Sequence, residues 1–141
     1  MTLKTKLREV QTLIFRTFGS QEERSAFGGS SFVELQYCKM KRGAKLKSIF
    51  ARPDHWQDDS LYCHADDIPE FLERYADVFG GAVYPNGKQG LPDPFGPNYY
   101  PPEAAAEIEK RLSERDSEDD RVLASWLRDG KDYNGILLLG V

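Results

Sequence analysis

Between residues 85 and 102 the chain carries six prolines and three glycines, and no other stretch constrains the fold as much. Proline removes a backbone donor and fixes φ, and glycine loses the most freedom on ordering. Such a run therefore predicts irregular chain in place of helix or strand. Long irregular segments are uncommon inside a compact domain unless they are functional or packed down. Phe95, Tyr99 and Tyr100 supply apolar surface for packing. The expectation is an ordered strap joining a strand at 82–84 to a helix that starts at Pro102. Phe95 and at least one of Tyr99 and Tyr100 would be buried, with Asp93 and Asn98 satisfying loop backbone groups. On that reading Phe95→Ala costs ~3–5 kcal/mol.

The flanking segments read more regularly. Leu3, Leu7, Val10, Ile14 and Phe18 share one helical face, which predicts a helix over 3–18; the aromatics and Thr in 12–18 leave a strand open there. Ser20-Gln21-Glu22-Glu23 has the Ser-x-x-Glu capping pattern of a second, short helix. After Gly28-Gly29 the period becomes two: Val33, Leu35 and Tyr37 alternate with Glu34 and Gln36, a half-buried strand with the polar pair outward. The turn at Lys41-Arg42-Gly43-Ala44 and the run 46–51 suggest a returning strand, hence a hairpin over 32–51. Residues 60–64 read as a third strand. Asp66 or Asp67 is placed to cap a helix whose stripe is Ile68, Phe71, Leu72, Tyr75, Val78 and Phe79. Two more helices follow, from Pro102 and after Ser117, each acidic in its first turn. Residues 136–141 form a last strand, apolar on both faces and so central. Helices in runs beside an antiparallel hairpin imply one α+β domain with a mixed, mostly antiparallel sheet and helices packed on it. The 141 residues and 40% apolar content suit a single core.

No apolar run approaches the ~20 residues of a membrane span, and residues 1–6 lead into an amphipathic segment, not a signal peptide. A cytoplasmic protein is expected, which favours Cys38 and Cys63 as buried free thiols over a pairing across a sheet. Charge is uneven: +7 over residues 1–52 and −11 over 53–141. Such polarity either steers a charged partner or is cancelled where the two halves pack.

Three stretches are candidate sites. The acidic stretch holds Asp54, Asp58, Asp59, Asp66, Asp67, Glu70, Glu73 and Asp77 against one base, Arg74, with His55 and His64 among them. It lacks the spacing of a metal site, so no metal or cofactor is predicted, and it suits a basic protein partner. The basic stretch Lys39, Lys41, Arg42, Lys45 and Lys47 resembles a phosphate-neutralising cluster, yet a pI near 5.2 argues against nucleic acid. In the proline-rich stretch, Tyr84, Lys88, Asp93, Asn98 and Tyr99 have the chemistry to line a cleft for a small ligand or substrate. Asn86-Gly87-Lys88-Gln89-Gly90 lacks the phosphate-loop pattern and reads as a tight turn. No nucleophile motif is present, and adjacent Cys63 and His64 would point to opposite faces of a strand.

From Tyr84 onward the chain resembles a family of short bacterial proteins. The likeness rests on Asn86-Gly87-Lys88-x-Gly90, Asp93-x-Phe95-Gly96-x-Asn98-Tyr99-Tyr100, Pro102-Glu103, Trp126-Leu127 and Tyr133-Asn134-Gly135 leading into Leu139-Gly140-Val141. It spans about the last two-fifths of the chain and implies no catalytic residues. Some members carry an oxalate:formate antiporter label, with which the lack of a membrane-length apolar run is at odds. In size and charge the chain is also similar to immunity proteins that neutralise toxins. The functional expectation is thus a bacterial protein-binding module for a basic partner such as a toxin. The alternative is a small enzyme or ligand-binding protein using the 84–100 segment.

Overall fold

The computed structural model describes residues 13–28, 32–51 and 56–140. Seven strands form one sheet: β1 (Phe15–Arg16), β2 (Phe32–Tyr37), β3 (Leu61–His64), β4 (Ala82–Val83), β5 (Gln89–Gly90), β6 (Pro97–Tyr100) and β7 (Ile136–Leu139). Their order is β1-β3-β2-β7-β6-β4-β5, and every pairing is antiparallel. The helices are α1 (Gln21–Gly28), α2 (Leu46–Ile49), α3 (Ile68–Tyr75), α4 (Pro102–Leu112) and α5 (Glu118–Asp129); a 3-10 turn (Ala65–Asp67) leads into α3. The fold is α+β, and β7 occupies the centre of the sheet as its two apolar faces require.

Strand periodicity sorts the side chains into two layers. Val33, Leu35 and Tyr37 of β2, Cys63 of β3, Ile136 and Leu138 of β7 and Tyr100 of β6 face the main core, built with Phe71, Tyr75 and Phe79 and with Ile108, Leu123 and Leu127 of α4 and α5. The outer face carries a smaller apolar patch of Cys38, Val83, Tyr99 and Leu137 under Ile49, and an aromatic group of Phe18, Phe32 and Tyr62 beside Trp56. α5 begins on a full capping box: Ser117 Oγ accepts from Asp120 N–H at 3.1 Å, and the Asp120 carboxylate accepts from Ser117 N–H at 3.2 Å. Gly135 enters β7 with φ at 78°, and a Cβ there would collide with the Tyr100 carbonyl, so no other residue fits.

Four expectations are corrected. The hairpin over 32–51 does not form: 46–49 is a helical turn, and β2 pairs with β3 and β7 instead. Leu46, Ile49 and Phe50 lie at i, i+3 and i+4, so the apolar run fits one helical face as well as a strand, and packing on the sheet decides. Residues 15–16 extend the sheet beside β3, the strand alternative for 12–18 and not the helix over 3–18; residues 1–12 lie outside the described residues. The proline-rich stretch is not wholly irregular, because it contains β5 and β6. Pro97 takes the first position of β6, where strands tolerate proline, and Tyr99 and Tyr100 then alternate across the sheet. Neither Asp66 nor Asp67 caps α3 through its side chain; His64 Nδ1 accepts the Asp66 N–H at 3.1 Å.

Candidate functional site

The proline-rich segment is held by Asn98, which is 0% exposed. Its Oδ1 accepts from Asp93 N–H at 2.8 Å, and its Nδ2 donates to the carbonyls of Asp93 (2.9 Å), Gly96 (3.0 Å) and Leu138 (3.0 Å). Gly140 N–H donates to Gly96 O at 3.0 Å, and Asp93 Oδ1 accepts from Phe95 N–H at 2.9 Å. The turn 93–96 is thereby pinned to the end of β7. Tyr99 is buried, its hydroxyl donating to Asn134 O at 2.9 Å, and Tyr100 is buried with its hydroxyl on Phe79 O at 2.7 Å.

Phe95 corrects its expectation: it is 75% exposed, and Leu91 is 63% exposed. Hydrogen bonds from the Asn98 side chain to the backbone, not the phenyl ring, fasten this turn, and the ring is left in solvent. The five candidate cleft residues do not converge. Asn98 and Tyr99 are sealed in; Lys88 and Asp93 are exposed; Tyr84 is half-buried with its hydroxyl donating to Leu91 O. Lys88 N–H closes the Asn-Gly turn on Asn86 Oδ1 at 2.9 Å.

The acidic stretch divides into two groups. Asp54 lies outside the described residues. Asp58 is exposed, and Asp59 holds Lys39 Nζ at 2.8 Å. Asp66, Asp67 and Glu70 lie beyond the other end of β3, a strand whose four residues span ~13 Å. Asp66, Glu70, Glu73 and Asp77 are exposed, Asp67 half-buried. Arg74, the base among them, turns inward: it donates to Asp119 Oδ2 (3.0 Å) and Ser117 Oγ (3.0 Å) and reaches Glu70 only at 3.8 Å. Arg115 approaches Asp77 at 3.5 Å. Asp119 also accepts from Ile14 N–H at 3.0 Å, so this buried carboxylate joins the residue preceding β1 to α3 and α5. For Asp120, burial opposes ionisation, but hydrogen bonds from Ser117 and Tyr75 and the charge of Arg115 outweigh it and hold its pKa below the usual range.

Strand order places these features. β2 runs from Phe32 to Tyr37, opposite His64 to Leu61 of β3; Leu139 of β7 and Pro97 of β6 lie at the Phe32 end. The 93–96 turn and the acids 66, 67 and 70 therefore sit at one end of the sheet. The three strand spacings between β3 and β6 correspond to roughly 14 Å. The basic stretch from Lys39 to Lys47 follows Tyr37 and leaves from the opposite end.

The outer face holds groups that sequence periodicity assigned to solvent. Gln36 is 2% exposed; its amide donates to Glu34 Oε2 at 3.1 Å, and Ser60 Oγ donates to the same oxygen at 2.8 Å. Burial raises the Glu34 pKa against the opposing pull of Ser60, Gln36, Arg24 and Tyr62. The signal for this covered face was that Phe32 and Cys38 share the phase of Glu34 and Gln36. Cys63 faces the main core with its pKa raised to about 12, chiefly by burial, while His64 lies on the outer face against Phe32. The pair is therefore no nucleophilic dyad. Both thiols are free and buried. Among the described residues no group of His, Cys, Asp and Glu is arranged to hold a metal, and no helix is long and apolar enough to cross a membrane. No family model matches the chain, and neither a curated protein nor a solved structure matches it.

Proposed function

We propose that this chain is a protein-binding module whose docking surface is the sheet end bearing Phe95 and the acids Asp66, Asp67 and Glu70. One observation carries the reading: Phe95 is 75% exposed on a turn that a fully buried asparagine fastens to the sheet. Single exposed apolar residues are ordinary on protein surfaces. Phe95 is different because its turn is hydrogen-bonded, and a rigid aromatic anchor loses little entropy when it enters a partner's recess. The acids at the same sheet end favour a partner with basic residues around that recess and give fast, salt-sensitive association. A basic toxin, as an immunity protein would meet, has this chemistry. The alternative ligand site at 84–100 draws no support from the placement of its five residues.

The test is co-expression with basic secreted toxins encoded beside this gene, followed by co-purification. Protection and a stable complex are expected for the wild-type chain. Phe95→Asp should abolish both, and Asp66→Lys with Glu70→Lys should slow association. A complex that forms equally well with Phe95→Asp, or the absence of any partner, sinks the reading.

A further inference from the structure

Three asparagines occur in the chain, and two of them precede glycine: Asn86-Gly87 and Asn134-Gly135. Glycine has no side chain to shield its amide nitrogen, so in such a pair that nitrogen can attack the asparagine side-chain carbonyl carbon. The structure sets the two pairs apart. Asn134 is 5% exposed and held at both ends of its amide: Nδ2 donates to Lys41 O at 3.1 Å, and Oδ1 lies 3.1 Å from the Tyr99 hydroxyl. Its own N–H donates to Cys38 O, and Cys38 N–H donates to Gly135 O, both at 3.0 Å. Asn98, the third asparagine, is fully buried and is followed by a tyrosine.

Asn86 is exposed, in the turn between β4 and β5. Gly87 N–H donates to Tyr84 O at 2.8 Å, and Lys88 N–H donates to Asn86 Oδ1 at 2.9 Å. These bonds hold the reacting groups apart while the turn is closed. They are local, however, and the hairpin behind them has two residues in each strand, with β5 at the sheet edge. Such a turn opens without disturbing the core. Among the described residues no protein acceptor meets Asn86 Nδ2, so its nitrogen is free to leave into water. We propose that Asn86 is a site of spontaneous deamidation in the folded protein, and that the fold protects Asn134 from the same reaction. Gly87 N bonds to Asn86 Cγ, the Cγ–Nδ2 bond breaks, and ammonia departs with the proton of the Gly87 amide, leaving a succinimide. Water then opens the ring, at Cγ to give aspartate or at the main-chain carbonyl carbon to give isoaspartate. Either product adds a carboxylate, and the isoaspartyl form also lengthens the main chain inside a turn closed by Gly87 and Tyr84 N–H bonds. Val83 pairs with Tyr99, so this turn lies at the Pro97 end of β6, the same sheet end as the 93–96 turn; the reaction itself does not depend on the docking reading.

The wild-type chain is incubated in mildly alkaline buffer, which favours loss of the amide proton, and then digested for peptide mapping by mass spectrometry. The peptide containing Asn86 should gain the mass of an amide-to-acid exchange and split into two forms, one of them co-eluting with the same peptide from Asn86→Asp. In the folded protein Asn86 should convert at least about tenfold faster than Asn134. In urea, where both pairs are released, the two should convert at comparable rates. Asn86→Gln, whose longer side chain would have to close a larger ring, should abolish the gain at that peptide. Retention of Asn86 in the folded protein over a time in which the urea-unfolded chain converts overturns the proposal. So does conversion of Asn134 in the folded protein at the rate of Asn86.

Discussion

Replacing Asn98 by alanine removes the group that ties the 93–96 turn to the sheet. Four hydrogen bonds disappear, but they are not equivalent. Asp93 is exposed and Gly96 half-buried, so water can replace much of what their carbonyls lose. The Leu138 carbonyl lies in the central strand behind a fully buried side chain, and its bond from Asn98 is itself buried. A hydrogen bond contributes ~1 kcal/mol net, and a buried group left unpaired costs ~1–3 kcal/mol. The lost Asp93 N–H bond, the orphaned Leu138 carbonyl and the small cavity together give a destabilisation of roughly 2–4 kcal/mol. Urea unfolding followed by circular dichroism measures it; with a slope of ~1–3 kcal/mol per molar urea, the midpoint should fall by about 1–2 M. Phe95→Ala is the internal comparison and should change stability by less than ~0.5 kcal/mol, since its ring is already in solvent. A loss below about 1 kcal/mol for Asn98→Ala, or a larger loss for Phe95→Ala, would refute the assignment of the turn's stability to hydrogen bonding.

Three further outcomes are expected. Asp119→Ala leaves the Ile14 N–H without its acceptor and removes the nearest carboxylate of Arg74, which keeps Ser117 and Glu70, and should cost about 2–4 kcal/mol in the same unfolding assay; a loss under about 1 kcal/mol would mean that the Arg74 ion pair is not structural. Glu34 has its folded pKa raised, so its carboxyl group favours folding when protonated, and that contribution fades as pH rises through the folded value. Glu34→Gln should therefore raise Tm at pH 7, the gain shrinking towards pH 4; a lower Tm at pH 7 would count against a desolvated carboxylate. Cys38 and Cys63 are both buried and free, so a thiol reagent should label neither in the native protein and both in urea; prompt native labelling would place one of them at the surface.

Much of the fold was legible because it rests on local chemistry. α4 and α5 announce themselves through Pro102, Ser117, acidic first turns and inward stripes such as Ile108 and Leu112, features that act within a few residues. β2 was readable from its alternation and β7 from its unbroken apolar run. The α+β class followed from the sequence of these elements. The Leu46–Ile49 turn was ambiguous because its apolar residues fit both periods, and only the patch beneath it selects the helix. β6 could not be read from its prolines, since a strand is stabilised by its neighbour and that neighbour, β7, lies far along the chain.

The candidate docking surface was still less accessible. The acids, the basic stretch and Phe95 were all visible as residues, but strand order alone sets the acids and Phe95 at one end of the sheet and the lysines at the other. Asn98 fastens the turn that carries Phe95 through a bond to Leu138 O, forty residues away in sequence. Composition and periodicity thus determine which segments are helix, strand or turn where the decisive interactions are local. Which polar side chains are buried, and which aromatic is left in solvent, is decided by long-range pairing, because hydrogen-bond satisfaction depends on neighbours that only the tertiary structure supplies.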